Sequence, residues 1–190
     1  MLVVSEREAL NLEGIMATAA RSDRFIKGVG IASFVVGLVL LLAGIGTWTM
    51  VSSQLADEEI TVAEDARWFA GEQVRGPLTA YSQADIINTH ALEGTDGRTY
   101  AELGDAMSQV DEDSEEYAQL QGQRTMVMNA SFLRASLFTS VLAFGVSAMV
   151  VGLGVILALT GLAIRKLALA SWAARDAEQG PEKVAASASA

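Results

Sequence analysis

The chain has 190 residues, of which 51% are apolar and only 19% are charged. It contains no Cys and a single His, so a disulfide framework, a cysteine-based metal site and a thiol nucleophile are excluded. The net charge is −10, and this acidic excess argues against nucleic-acid binding.

The first 27 residues precede a long apolar stretch and carry mixed charge. Ser5 and Glu8 have the spacing of a capping box, which predicts a helix start. Apolar residues then recur at helical intervals, so we expect residues 1–27 to form a short amphipathic helix on the cytoplasmic side.

Residues 28–51 and 135–164 are two uncharged stretches without Asp, Glu, Lys, Arg or His. About 20 helical residues cross a hydrocarbon core about 30 Å thick, so each stretch is long enough to be a transmembrane helix. The first is interpreted as a retained anchor rather than a signal peptide, because no small-x-small cleavage site follows it. The sequence therefore predicts an all-α membrane protein that crosses the bilayer twice.

The cations beside these stretches predict the topology, because Lys and Arg near the ends of a span mark its cytoplasmic side. Arg21, Arg24 and Lys27 precede the first span, and Arg165 and Lys166 follow the second. We therefore expect both termini to be cytoplasmic and the protein to lie in the plasma (inner) membrane.

Residues 52–134 form the predicted acidic, helical extracytoplasmic domain, and residues 52–130 alone carry a net charge of −12. Gly76-Pro77 predicts a break before one helix, and the capping box of Thr99 and Glu102 predicts the start of another. From Glu115 the pattern permits a helix that continues into span two and extends it outward as a stalk. This small cap is expected to bury a set of larger side chains: Trp68, Phe69, Tyr81, Ile87 and Leu103.

Residues 165–190 are the predicted cytoplasmic tail, expected to be disordered after Gly180-Pro181.

Small residues recur inside both spans, and in lipid such residues allow two helix backbones to approach closely. The candidate helix-packing positions are Gly30, Ser33, Gly37 and Gly44 in span one, and Gly145, Ala148, Gly152, Gly154, Ala158 and Gly161 in span two. The pattern does not decide whether these residues join the two spans of one chain or join different chains.

Arg134 stands at the outer end of span two and is the predicted interface anchor, reaching lipid phosphates or a loop carboxylate. Neither span contains an ionisable residue, which argues against a proton relay built from this chain alone.

No catalytic, cofactor-binding or metal-binding residues are predicted. His90 lacks a second imidazole or thiol partner, and the acidic run at 111–116 lacks the glycine and ligand spacing of an EF-hand loop. Both are better explained as solvated loop residues.

Several runs of residues resemble a family of small actinobacterial two-pass membrane proteins. They lie at 60–66, 76–81, 83–85, 99–103 and, most specifically, 127–140. The resemblance implies the two-pass topology and an actinobacterial source, without an activity. Members are often labelled aromatic ring-opening dioxygenases, but such enzymes hold a metal with His and carboxylate ligands, and one His does not supply that site.

The sequence thus favours a non-enzymatic membrane scaffold or accessory subunit that binds membrane lipid and packs with itself or with a larger envelope or respiratory membrane complex. The alternative is a subunit of a small oligomeric channel or transporter whose pore is lined by hydroxyls: Thr139, Ser140, Ser147 and Thr160.

Overall fold

The computed structural model describes the backbone of residues 2–188 and the side chains of residues 25–170. Four helices follow one another: α1 Leu2–Asp57, α2 Pro77–Glu93, α3 Tyr100–Met107 and α4 Glu115–Ala188. Within residues 2–188 there is no β-strand, only an isolated antiparallel bridge between Thr61 and Gln73. The predicted all-α class is confirmed.

Helices α1 and α4 contain the two uncharged stretches and are long and apolar enough to cross a membrane. In the most apolar window of each helix only 17% of the residues are buried within the protein. A core helix of a soluble protein would bury its apolar residues, whereas a helix in lipid can leave them exposed. The coarse prediction of two membrane-competent helices is therefore confirmed.

The ends of the two long helices differ from the prediction. Helix α1 begins at Leu2, so the expected start at Ser5 is wrong, and the backbone continues without a break into the first uncharged stretch. Helix α4 continues through Gly180-Pro181 to Ala188, where a disordered tail was expected. The Ala-rich composition of the tail favours helix, whereas Gly and Pro are unfavourable in a helix interior. The predicted amphipathic face of residues 1–27 is outside the described side chains, apart from residues 25–27.

Two compact units are distinguishable along the chain. One combines residues 1–43 with 150–190, and the other is the continuous segment Gly44–Met149. In the first unit α1 and α4 are antiparallel, because Gly30 lies against Gly161 while Gly37, further along α1, lies against Gly154.

In the second unit, α2 packs on α4 with the opposite chain direction. Arg134 Nε of α4 donates to Ala84 O at 3.2 Å, and Gln123 Nε2, further from the second uncharged stretch, donates to Gly94 O at 3.4 Å. Pro77 occupies the first position of α2, where its missing N–H costs nothing. The main core of this unit comprises Leu55, Val62, Val74, Ala80, Ala84, Leu137 and Phe144.

Helix α3 begins with the predicted capping box. Thr99 Oγ1 accepts from Glu102 N at 3.4 Å, and Glu102 Oε2 accepts from Thr99 N at 2.8 Å. The hydrogen bonds that the Glu102 carboxylate accepts, first from the Thr99 amide and then from the Thr99 hydroxyl, lower the pKa of this exposed carboxyl. The helix buries Leu103 and Met107 against Leu120 of α4 in a second, smaller core.

The expected burial of aromatic side chains is only partly observed. Leu103 is fully buried, and Ile87 is half-buried. Trp68, Phe69 and Tyr81 are 49%, 37% and 46% exposed, so the prediction that the cap buries them is wrong. Small residues of α2, Ala80 and Ala84, belong to the core at this point instead, and the ring that this core buries is Phe144 of α4.

Candidate functional site

The contact between α1 and α4 in the first unit is made by glycine backbone. A Cβ atom added at Gly37 would collide with the amide N of Ala158 and lie 2.6 Å from Gly154 O. Atoms of the opposing backbone cannot move aside as a flexible side chain can. Glycine is therefore the only residue type that fits at position 37 without separating the two helices.

The same restriction applies from the α4 side. A Cβ at Gly154 would lie 2.7 Å from Leu41 N, and one at Gly161 would lie 2.6 Å from Phe34 N. Gly30 is less confined, since a Cβ there would first meet the Ile164 side chain at 3.0 Å. We call these contacts the glycine seam, formed by Gly30, Gly37, Gly154 and Gly161.

The remaining candidate packing residues divide into three groups. Ser33 and Ala158 are half-buried beside the seam, whereas Gly44 is buried and belongs to the other unit. Gly145 and Gly152 have open space where a Cβ would stand, and Ala148 is exposed. We call these last three residues the open face of α4.

The seven-residue spacing of the glycines does not by itself separate seam from open face. Gly30 and Gly37 are seven residues apart, as are Gly154 and Gly161, and a seven-residue repeat is typical of a continuous seam between two helices. Gly145 and Gly152 share this spacing with each other but stand two residues out of phase with Gly154. The open face therefore lies on another side of α4.

Arg134 contacts the protein rather than standing free as a simple anchor. Its Nε donates to Ala84 O, and its guanidinium carbon lies 5.8 Å from the centroid of the Phe138 ring. This Arg thus ties α2 to α4, and its side chain is partly buried there. Its role at a lipid interface stays a prediction.

The hydroxyls proposed for a pore are satisfied by their own helix. Thr139, Ser140, Ser147 and Thr160 each donate to the carbonyl four residues earlier, at 2.8, 3.3, 2.8 and 2.8 Å. Ser147 is in addition buried. These hydroxyl protons are therefore engaged within the helix, whereas the oxygen lone pairs stay able to accept a hydrogen bond or to bind a cation.

The acidic run begins helix α4. Ser114 Oγ accepts from Tyr117 N at 3.1 Å and donates to Asp111 O at 2.6 Å, while Asp111 Oδ1 accepts from Asp113 N. Glu115 and Glu116 then occupy the first turn, where negatively charged carboxylates stabilise the helix by interacting with its dipole. Helix α4 begins at Glu115, where the sequence pattern permits a helix to begin, but the Ser114 cap was a helix-start signal that the sequence analysis did not use. Among residues 25–170 no group of three or more His, Cys, Asp and Glu could hold a metal ion.

An apolar groove of 490 Å³ lies between α2 and α4 in the second unit. On α4 its lining follows one helical face, and on α2 it includes His90. The lining residues are Ile87, His90, Ala91, Gly122, Thr125, Met126, Asn129, Ala130 and Leu133. The sequence reading did not find this groove, because the spacing of the two helix faces is visible only when both are paired.

His90 holds the edge of this groove to the preceding loop. Its Nε2 lies 2.7 Å from Asp65 Oδ2, and both side chains are exposed. The hydrogen bond from the His90 ring is the main cause that lowers the pKa of the Asp65 carboxyl. The pair acts as a surface link and not as part of a catalytic constellation in the described residues.

No protein-family model, no curated protein and no solved structure matches this chain. Membership of the actinobacterial family therefore stays a prediction from the residue runs.

The glycine seam predicts opposite results at two neighbouring positions of α4. Gly154→Leu should lower the free energy of unfolding by at least about 1–3 kcal/mol, the range for overpacked sites, because the side chain must push α1 away. Gly152→Leu should change it by less than about 0.5 kcal/mol, as expected for an open position. Reversible unfolding of the purified protein in mixed micelles measures both, and equal losses would contradict the seam.

The His90 link predicts a pH effect with a defined sign. Because the pKa of Asp65 is depressed in the folded protein, the link contributes stability above the carboxyl's unfolded pKa, and this contribution is lost as pH falls through the folded pKa. His90→Ala should move the pKa of Asp65 upward, toward its ordinary value. Carboxyl-detected NMR titration measures this, with Glu102 as the control that should not move; an unchanged Asp65 titration would disprove the assignment.

Proposed function

We propose that the chain is a non-enzymatic integral membrane scaffold or accessory subunit. In this proposal both termini are cytoplasmic, residues 52–134 lie outside the plasma membrane, and residues 115–134 form a stalk between the bilayer and the small helices. The cations flanking the two uncharged stretches support this orientation.

The observation that carries the proposal is the open face of α4. Lipid gives two helices no hydrophobic reason to associate, so close packing at small residues provides much of the attraction. The glycine seam already uses one side of α4 within the chain. Gly145, Ala148 and Gly152 leave a second shallow strip unoccupied, and another helix can approach it closely.

The α2–α4 groove supports a binding role for the outer segment as well. The groove is open and apolar, and its exposed Met126 and Leu133 offer contact area to a partner. Its lining has no arrangement of nucleophile, base and oxyanion donors. The open face fits a partner's membrane helix, and the groove fits a partner's outer segment. Such a partner is a second copy of this chain or a subunit of a larger envelope complex.

A subunit of a small oligomeric channel is the alternative, and the two proposals predict different behaviour in liposomes. The channel proposal requires solute flux or conductance from the purified assembly. The scaffold proposal predicts assembly without flux.

The test of the scaffold proposal is assembly in native membranes and mild detergent. The wild-type chain should cross-link and migrate as an oligomer or with co-purifying subunits. Gly152→Leu should shift the population toward the monomer, because the larger side chain separates the backbones.

Gly46→Leu is the matched control, since Gly46 also has open space around it but stands on α1, away from the open face. It should assemble like the wild type. A monodisperse wild-type monomer without co-purifying protein, or a Gly152→Leu variant that assembles normally, would contradict the proposal.

A further inference from the structure

Four of the large apolar side chains that the small outer core leaves exposed lie around the start of α2. Leu78 and Tyr81 stand three residues apart on one helical face and are 65% and 46% exposed. Trp68 adjoins them, because its carbonyl accepts from Ser82 Oγ at 2.6 Å, and Phe69 follows it in the loop. We call Trp68, Phe69, Leu78 and Tyr81 the apolar collar.

A contact with α4 shows where the collar lies relative to the uncharged stretch 135–164. The Tyr81 ring makes an edge contact with the Phe138 ring, with centroids 5.9 Å apart. Phe138 is the fourth residue of the uncharged stretch 135–164, so it stands about 5 Å inside the end of that stretch at 1.5 Å per residue. Tyr81 therefore lies at a level where α4 has already lost its charges.

Helix α1 gives the same depth independently. Pro77 and Leu78 line a groove together with Trp48. Trp48 is three residues from the outer end of the uncharged stretch 28–51, again about 5 Å inside it. Two helices of different sequence thus place the start of α2 at one level.

The other end of α2 is far from this level. Gly94 accepts from Gln123, which precedes the uncharged stretch by 12 residues, or about 18 Å along α4. Trp68, Phe69 and Tyr81 are found near the start of α2. Tyr100, 42% exposed, follows the other end of α2 under the Arg124 guanidinium, and the acidic run at 111–116 follows α3. Helix α2 therefore rises from an apolar level to a charged one.

Two Arg side chains mark the boundary between these levels. The guanidinium carbon of Arg67 lies 5.2 Å from the Trp68 ring centroid, and that of Arg134 lies 5.8 Å from the Phe138 ring centroid. Trp and Tyr beside cations are typical of the membrane–water interface, where a ring meets acyl chains and a charge meets phosphates.

We propose that the apolar collar is inserted into the outer leaflet of the same bilayer, so that the first turn of α2 is an interfacial wedge bound by phospholipid. The collar is continuous with the exposed apolar surface of the spans, because Phe138 touches Tyr81 directly. This continuity favours lipid over a protein partner as the occupant. The proposal rests on the proposed membrane placement of α1 and α4, but not on oligomerisation.

Site-directed spin labelling tests the proposal cleanly, since the chain has no Cys. Leu78→Cys, in the full chain reconstituted in phosphatidylethanolamine–phosphatidylglycerol nanodiscs, carries the label at the most exposed collar residue. Leu142→Cys, 67% exposed in α4, is the lipid control, and Asp113→Cys is the water control. Relaxation by oxygen reports lipid, and relaxation by a water-soluble nickel chelate reports solvent.

We expect the oxygen-to-nickel relaxation ratio at Leu78 to lie several-fold above that at Asp113 and near that at Leu142. A ratio equal to that at Asp113 would overturn the collar. Protection from both reagents would also overturn it, because a protein would then cover the patch. Solvent access at Leu142 itself would instead overturn the membrane placement, so the two failures are distinguishable.

A second measurement uses the native Trp68. In the Trp48→Phe, Trp172→Phe variant it is the sole tryptophan of the chain. Its fluorescence should be quenched by lipids brominated near the headgroup end of the acyl chain more than by lipids brominated near the methyl end. Emission typical of water, without quenching by either lipid, would contradict the proposal.

Discussion

The backbone contact between α1 and α4 is the constraint on which the rest of the structure depends. At Gly37 and Gly154 no side chain stands between the helices, and any Cβ would meet backbone atoms of the partner. In lipid, where apolar side chains gain nothing by leaving the solvent, such close packing replaces the hydrophobic effect. A seam of this kind occupies only one side of each helix and leaves the other sides to lipid or to other proteins.

Small side chains also allow close helix packing in the segment Gly44–Met149. Ala80 and Ala84 let α2 lie close to α4, and the core that results is small. The large rings that a soluble domain would bury are displaced to the surface around Trp68 and Tyr81. If that surface is in lipid, the bilayer supplies the burial that fewer than 110 residues without a disulfide cannot provide for themselves. The stability of the small cap then depends on the bilayer as well as on its own core.

The sequence predicted features that depend on single backbone positions, but not features that depend on which faces of two helices meet. The start of α2 at Pro77 and the capping box of Thr99 follow from the chemistry of single backbone positions, as do the two uncharged stretches. The division of the glycines into seam and open face depends on which sides of two helices meet. The exposure of Tyr81 depends on the depth at which α2 meets Phe138. Neither is encoded in the spacing along one helix.

Disulfide formation across the seam is the most direct test of the account. A Cβ at Gly30 would lie 3.3 Å from Ile164 Cβ, close to the separation that a disulfide needs. The Gly30→Cys, Ile164→Cys double variant should therefore oxidise within one chain in native membranes and give a faster-migrating monomer. Gly28→Cys with Ile164→Cys, from a position with open space, should not. If neither pair closes, or if the Gly30 pair yields only cross-linked dimers, the helices do not meet within one chain as described.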